Sequence, residues 1–575
     1  MFHIEIIKFF SEEYFFSELN SPLYRYDIDL IDYDVFDNIF MELLNIHAPI
    51  KLKYVRANNG PFMTKELRKA IMLRSRLKNV FNRDKSEESK LAYTKQRNKC
   101  TQLLRKSKRN FYSSLNPRFV SDTKTFWKTV KPFFSEKISS NENIVLIEKE
   151  EIISEDNRIS ELFNDFFRNA VINLNVDIDP GLLVNVDHID DPILKAIEKY
   201  KNHPSIIKIK EVREIPMLFE FNFLTMHEVA LEIRNINSSK SNPIDSIPAK
   251  MIKENSSFFC TLLYNNFKNC ISTCTFPNKL KLADVTPVHK KGVHMDKSNY
   301  RPVSILPAIS KIYERVLYTQ MNCFTENILS KFQCGFRKGT SAQHCLIVML
   351  EKWKKSVDMK GCSGALLTDL SKAFDCLSHD LLIAKLEAYG FHHNALRLLH
   401  SYLSDRYQRV RVNSNYSSWS EIICGVPQGS ILGPLLFNIY LSDLFIFLDS
   451  DIANYADDNT PYATCKDIES VIKRLESESI ILFQWIGNNA LKANPDKSHL
   501  LLNSNDNHLS VTIDDHEIFN SEHKKLLGIT IDNELKFNEH VSTLCKKASQ
   551  KLHALSRVAH FMNEDKRRVL MKTFI

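Results

Sequence analysis

Tyr455-Ala456-Asp457-Asp458 sets two adjacent carboxylates between an apolar approach (residues 444–448, then Ile452 and Ala453) and a polar exit. Neighbouring side chains on a strand point to opposite faces, so adjacent acids converge only where the backbone turns sharply. A hairpin tip presenting paired acids suits a divalent cation. Magnesium takes hard oxygen ligands and is usually held by one or two carboxylates plus substrate phosphates. Alone, the pair is a weak signal, because acids are common in solvated turns. A second acid stands where such a hairpin needs one. Gly364-Ala365-Leu366-Leu367-Thr368-Asp369-Leu370 predicts a short buried strand ending at Asp369. Ser371-Lys372-Ala373-Phe374-Asp375 predicts a turn, and Asp380 the start of a helix through Leu381, Leu382 and Leu386. One carboxylate at a strand end facing two on a hairpin could hold two metal ions, the pair that clamps an in-line phosphoryl displacement. The bland reading of Asp369 is a helix-capping or loop acid.

Between these acids lies Gly425-Val426-Pro427-Gln428-Gly429-Ser430-Ile431-Leu432-Gly433-Pro434-Leu435-Leu436-Phe437. Its glycines allow close backbone approach to a flat or phosphorylated ligand, and Ser430 can cap the apolar helix that follows. As structure alone this is a turn before a buried helix. As a string it is highly specific.

The 575 residues, 43% apolar and 25% charged, are ordinary for globular protein with room for several domains. Twelve cysteines are scattered without a C-x-x-C pair, which indicates neither zinc nor a disulfide framework and fits free thiols in a reducing compartment. The first residues do not read as a secretory signal, and no apolar stretch is long enough to span a bilayer. The expectation is a soluble intracellular protein. The net charge of +8 is unevenly spread. Sixteen Lys and Arg fall between Lys65 and Arg109 against four acids, with Leu67, Ile71, Leu77, Val80, Leu91, Leu103 and Leu104 interspersed. This predicts helices with basic outer faces, either a solvated surface or one that tracks a phosphate backbone.

Taken in order and spacing, Asp369 to Asp375, residues 425–437 and Tyr455 to Asp458 resemble the reverse transcriptases of non-LTR retrotransposons, with the jockey-like branch nearest. Flanking motifs agree: Pro287-Val288-His289-Lys290-Lys291-Gly292, Asn299-Tyr300-Arg301-Pro302-Val303-Ser304, Lys311-Ile312-Tyr313-Glu314 and Gln333-Cys334-Gly335-Phe336-Arg337-Lys338-Gly339. Ser401-Tyr402-Leu403-Ser404-Asp405-Arg406, Asn494-Pro495-Asp496-Lys497-Ser498 and Leu527-Gly528-Ile529-Thr530-Ile531-Asp532 follow. The strong resemblance covers about residues 223–540. Pro61-Phe62-Met63-Thr64 and Phe126-Trp127 are similar to the segment these polyproteins carry ahead of the polymerase.

The resemblance implies an α+β right-hand polymerase with an antiparallel palm sheet backed by helices, mixed α/β fingers, a helical partial thumb and a helical N-terminal extension. It implies an acidic N-terminal remnant at 1–55, a basic helical extension at 56–135 and a connector at 136–222. Fingers with the first palm elements would follow at 223–365, palm at 366–535 and the start of the thumb at 536–575, the reverse transcriptase domain overall running about 270–535. Asp369 and Asp457 would ligate two magnesium ions, with manganese as a substitute. Asp458 would complete the triad, and the Leu370 carbonyl would add a ligand. Phe374 would be the gate that excludes a 2′-hydroxyl; the bland reading is a core Phe. Gln428 and Gly429 would line the nucleotide site, Lys290 and Arg301 would hold the triphosphate, and Lys497 would be the general acid for pyrophosphate. Asp375 is left outside the site. The activity implied is RNA-directed DNA polymerisation, adding deoxynucleoside triphosphates to a DNA 3′-hydroxyl on an RNA template. The partners are RNA, a DNA primer or nicked target DNA in the nucleus, and no membrane. The alternatives are an inactive RNA-binding remnant and, less favoured because of Phe374, an RNA-dependent RNA polymerase.

One segment departs from the family. Lys240-Ser241-Asn242-Pro243-Ile244-Asp245-Ser246-Ile247-Pro248 lacks both glycines usual in this loop, and Pro243 cannot take positive φ. The sequence also leads us to expect a truncated element, without an endonuclease ahead of the polymerase and with an incomplete thumb.

Overall fold

The structure is a computed structural model; it describes residues 2–4, 12–23, 31–49, 51–53, 62–114, 144–172, 178–213, 218–493, 498–513, 516–559 and 562–574. The chain divides into two compact units, residues 1–53 with 144–536, and residues 54–143 with 537–575. Among the described residues the first unit is built from helices with antiparallel and mixed sheets and the second from helices. Among the described residues no helix is long and apolar enough to cross a membrane.

The elements that position the site are named here in chain order. The helices are α1 (Tyr33–His47), α2 (Lys65–Asp84), α3 (Glu87–Ser114), α4 (Asp156–Ile172), α5 (Ala308–Thr325), α6 (Ala342–Asp358), α7 (His379–Tyr389), α8 (Gly433–Leu441), α9 (Ile468–Asn488), α10 (Asn538–Ala559) and α11 (Glu564–Phe574). The strands are β1 (Leu282–His289), β2 (Tyr300–Ile305), β3 (Cys362–Asp369), β4 (Arg406–Val412), β5 (Asn415–Tyr416), β6 (Ser420–Ile422), β7 (Asp451–Tyr455), β8 (Asp458–Cys465) and β9 (His499–Leu502).

The central sheet of the first unit has the order β7-β8-β3-β9, with every pair antiparallel. β3 occupies an inner position and is buried along most of its length, as its apolar run requires. One face of the sheet is apolar: Leu366, Leu500 and Leu502 pack with Val471 and Leu475 of α9. Strand alternation then turns Asp369 to the other face. A second, mixed sheet has the order β6-β4-β1-β2, in which β1 runs parallel to β4 and antiparallel to β2, and β5 pairs β4.

Segments that read from sequence as a remnant and a connector are built into this unit. α1 buries Tyr33, Phe36, Phe40 and Leu44 in the main core, where Phe36 meets Phe40, Phe258 and Phe259. Asp34 accepts the backbone N–H groups of Asn278 and Lys279 at 2.9 and 2.8 Å, which fixes the approach to β1. α4 lays Ile159, Phe163 and Phe167 on Val285, Tyr300, Val410 and Val412 of the mixed sheet. The loop that lacks glycines is closed by a side chain instead. Asn242 Nδ2 donates to Ser246 Oγ and the Ile247 carbonyl at 2.7 and 2.8 Å, and its Oδ1 accepts the Ala308 N–H that opens α5.

The helices behind the site are tied by a buried ion pair. Lys385 of α7 reaches Asp443 at 2.6 Å with both side chains fully buried, and Trp485 Nε1 of α9 donates to the same carboxylate at 2.7 Å. Lys385 also donates to the Tyr440 carbonyl of α8 at 2.7 Å, so the pair's remaining hydrogen-bonding capacity is satisfied as burial demands.

The second unit contains the basic helices α2 and α3 together with α10 and α11. Thr64 caps α2 by accepting the Leu67 N–H at 3.1 Å, and Gln96 of α3 donates to the Ala70 carbonyl of α2 at 3.0 Å. Phe126 and Trp127 lie outside the described residues.

If α1 belongs to the core, Phe36→Ala should cost about 3–5 kcal/mol. A clear fall in the urea midpoint of the full chain checks it, and an unchanged midpoint would mean that α1 is dispensable.

Candidate active site

β7 and β8 form a hairpin whose register pairs Tyr455 with Asp458, which leaves Ala456 and Asp457 as the two turn residues. β8 pairs β3 so that Asp458 stands directly opposite Asp369. Directly opposed residues carry their side chains on the same face, with Cβ atoms about 5 Å apart. The hairpin thus solves the problem posed by adjacent acids: Asp458 shares a face with Asp369 through pairing, and Asp457 reaches the same neighbourhood from the turn.

The electrostatics record this crowding. Burial, and then the Asp457 and Asp369 charges, push the Asp458 carboxyl up to about 6, while Lys290 pulls it down. Partial desolvation and then the Arg301 guanidinium hold the Lys290 ammonium below its ordinary range, opposed by Asp369 and Asp457. Three carboxylates and two cations therefore act on one another across one cleft. Among the described residues no three His, Cys, Asp or Glu side chains converge tightly enough to enclose a metal ion unaided. The acids fit a divalent cation such as magnesium, which would offset the part of the Asp458 rise that comes from Asp457 and Asp369, burial being the larger cause.

The cleft has a volume of about 580 Å³ and gathers most of the residues singled out from sequence: Lys290, Arg301, Asp369, Leu370, Phe374, Gln428, Gly429 and Asp457 all line it. Asp458, on β8, is not among the lining residues, and Lys497 lies outside the described residues. Lys290 follows β1 and Arg301 lies on β2, opposite Val288. Phe374 is fixed by two neighbours. Its ring stacks on Phe437 with centroids 4.3 Å apart and meets Phe336 edge-on at 5.7 Å.

The 425–437 block is fastened at both ends. Gln428 accepts the Ser304 N–H of β2 at 2.9 Å through its carbonyl. Gly429 follows at φ 136°, where a Cβ would stand 2.5 Å from the Ser304 carbonyl, so only glycine lets the loop lie against β2. Ser430 Oγ accepts the Gly433 N–H at 3.0 Å and caps α8. Glu314 of α5 adds a carboxylate at the same helix terminus, accepting the N–H groups of Ile431 and Leu432. Its carboxyl is raised by burial and drawn down by Arg406.

Three features escaped the sequence reading. Asp375, which it leaves out of the site, lines the cleft; its carboxylate accepts from Gln428 Nε2 at 2.8 Å and so aims that amide. Phe166 and Phe167 of α4 form part of the cleft wall, and Lys372 lies 4.6 Å over the Phe166 ring. The amphipathic pattern of residues 159–167 signals a helix but not where it packs. Glu314 sits in a recognised motif, yet a buried acid capping a helix more than a hundred residues away leaves no local signal.

Residues 288–531 match the family model described as reverse transcriptase (RNA-dependent DNA polymerase). The chain is 29% identical over 350 residues to a probable RNA-directed DNA polymerase from transposon BS of Drosophila melanogaster, covering 58% of this chain and 38% of that protein. It is 26% identical over 367 residues to the RNA-directed DNA polymerase from mobile element jockey of the same fly, covering 61% and 40%. A probable RNA-directed DNA polymerase from transposon X-element, also from that fly, is 26% identical over 337 residues, covering 55% and 36%. The chain thus spans about two-fifths of the length of these relatives.

The raised Asp458 carboxyl gives a sign-definite expectation. Its folded-state value lies above the ordinary carboxylate value of 3.8, so the folded chain loses stability as pH rises through about 6. Asp458→Asn should therefore raise the melting temperature by about 2 °C at pH 7.5 without divalent cation. The gain should shrink at pH 5, where Asp458 is already protonated, and in added magnesium. Thermal unfolding at the two pH values checks this; an equal gain at both would contradict it.

Proposed function

Residues 288–531 belong to the reverse transcriptase family, and from that premise we propose that this chain copies RNA into DNA, extending a DNA 3′-hydroxyl as in target-primed synthesis at a nicked nuclear DNA. The observation that carries the reading is the pairing of Asp369 with Asp458 beside the Asp457 turn, at a cleft that also holds Lys290, Arg301, Phe374 and Gln428. In this reading the central sheet is the palm, and the mixed sheet belongs to the fingers.

Asp369, Asp457 and Asp458, with the Leu370 carbonyl, would hold two divalent cations, which when bound neutralise the charge that develops on attacking and leaving oxygens. The chain's own groups do the rest. Lys290 and Arg301 take the triphosphate oxygens, being the cations that face the acids across the cleft. Phe374, braced by Phe437 and Phe336, stands under the sugar and rejects a 2′-hydroxyl. Gln428, its amide aimed by Asp375, and the backbone at Gly429 line the nucleotide. Lys497 is the candidate donor of a proton to pyrophosphate. The basic helices α2 and α3 grip nucleic acid through phosphates, without regard to sequence.

A primed RNA template with deoxynucleotides and magnesium or manganese tests the reading. The wild-type chain should extend the primer, and Asp457→Asn should reduce extension to background. RNA binding with a steep salt dependence and no extension would instead identify an inactive remnant. Phe374→Val should erode discrimination against ribonucleotides about 10-fold or more; unchanged sugar selectivity in single-nucleotide incorporation would remove the gate role.

A further inference from the structure

Ala456 holds φ 59° at the first turn residue between β7 and β8. That state costs a residue with a side chain about 1–2 kcal/mol, and hairpins usually assign it to glycine. Compensation comes from the flanks. Asn454 and Asn459 are direct cross-strand partners, each 1% exposed. Asn454 Nδ2 donates to the Ala456 carbonyl at 3.1 Å and to Asn459 Oδ1 at 2.9 Å. Asn459 Nδ2 in turn donates to the Asp457 carbonyl at 3.4 Å. Both carbonyls of the turn therefore end on buried amides.

The pair is itself anchored. Thr368, one residue before Asp369, donates its hydroxyl to the Asn459 carbonyl at 2.7 Å. The Cys334 N–H and the Cys345 thiol both donate to the Asn454 carbonyl, at 3.2 and 3.7 Å. Gly335 lies flat on the turn: a Cβ there would stand 2.3 Å from the Ala456 nitrogen. Asn438 of α8 holds that segment by donating to the Gly335 carbonyl at 2.9 Å and accepting from Gln333 Nε2 at 2.8 Å.

We propose that Asn454 and Asn459 are positioning residues that set the turn, and with it the direction of the Asp457 carboxylate toward Asp369 and Asp458, so that they govern the affinity of the acid cluster for a divalent cation. The proposal rests on the polymerase reading above. Each residue acts through the backbone of Ala456 and Asp457. The chemistry is specific: position 454 supplies two donors to two acceptors, and position 459 supplies one acceptor and one donor. Buried polar groups so committed hold one geometry, and breaking them leaves carbonyls unsatisfied.

The test is a titration of the full chain with Mn2+, followed by electron paramagnetic resonance, with thermal unfolding in parallel. Asn454→Ser should weaken Mn2+ binding about 10-fold, the scale on which residues that orient metal ligands act, with only a small fall in melting temperature. Ala456→Gly in the same chain supplies the positive φ without strain and should restore affinity to within about twofold. Should Asn454→Ser fail to fold, Asn459→Thr keeps a hydroxyl that can accept from Asn454 but is too short to reach the Asp457 carbonyl as the amide does, and should weaken binding about threefold. A lowered melting temperature with unchanged Mn2+ affinity in a folded variant, or no rescue by glycine, overturns the positioning role and leaves the polymerase reading standing. A wild-type chain that neither binds Mn2+ nor extends a primer overturns both.

Discussion

Antiparallel pairing of β3 with β8, with Asp369 opposite Asp458, puts like charges side by side on one face of a sheet. Nothing about those acids favours the arrangement; the opposite face imposes it. Leu366, Leu500 and Leu502 must meet Val471 and Leu475 of α9. Gly364 admits Leu502 and Val471 where a Cβ would stand 2.5 and 2.9 Å away. A slip of one residue would send the apolar set into solvent and the acids into the core. Apolar burial thus fixes the register, and the acid cluster is its consequence on the far side. Burial first, and then the Asp457 and Asp369 charges, leave the Asp458 carboxyl raised to about 6.

Around this sheet the site is held by buried polar contacts spread over distant segments. Glu314 and Ser430 cap α8. Asn438 of α8 carries residues 333–335 against the hairpin turn. Lys385, Asp443 and Trp485 lock α7, α8 and α9 to one another. Asp375 and Ser304 hold Gln428 from side chain and backbone. Apart from the Ser430 cap, each link joins residues far apart in sequence, so the cleft is set by the tertiary fold more than by any one loop.

Much of this was legible in the sequence where the signal is local. The strand ending at Asp369, the hairpin at Tyr455 to Asp458, the cap at Ser430 and the basic helices follow from apolar runs, turn geometry and capping chemistry within a few residues. What was not legible depends on packing partners. The amphipathic face of α4 does not name the sheet it covers, and the aromatic residues of α1 read as a remnant because nothing nearby shows the core they enter. Asp375 stays outside the site on the sequence alone, because its hydrogen-bond partner Gln428 lies 53 positions on. Asn454 and Asn459 look like ordinary polar strand residues until the register pairs them.

In the proposed function this register assembles Asp369, Asp457 and Asp458 into one cation site completed by substrate. The most direct measurement is anomalous scattering from crystals grown with a primed RNA template, an incoming deoxynucleotide and Mn2+. Manganese peaks are expected between Asp369 and Asp457, in contact with the triphosphate. Nucleotide bound in the cleft with no peak there, or with manganese held only by acids elsewhere on the chain, would contradict it.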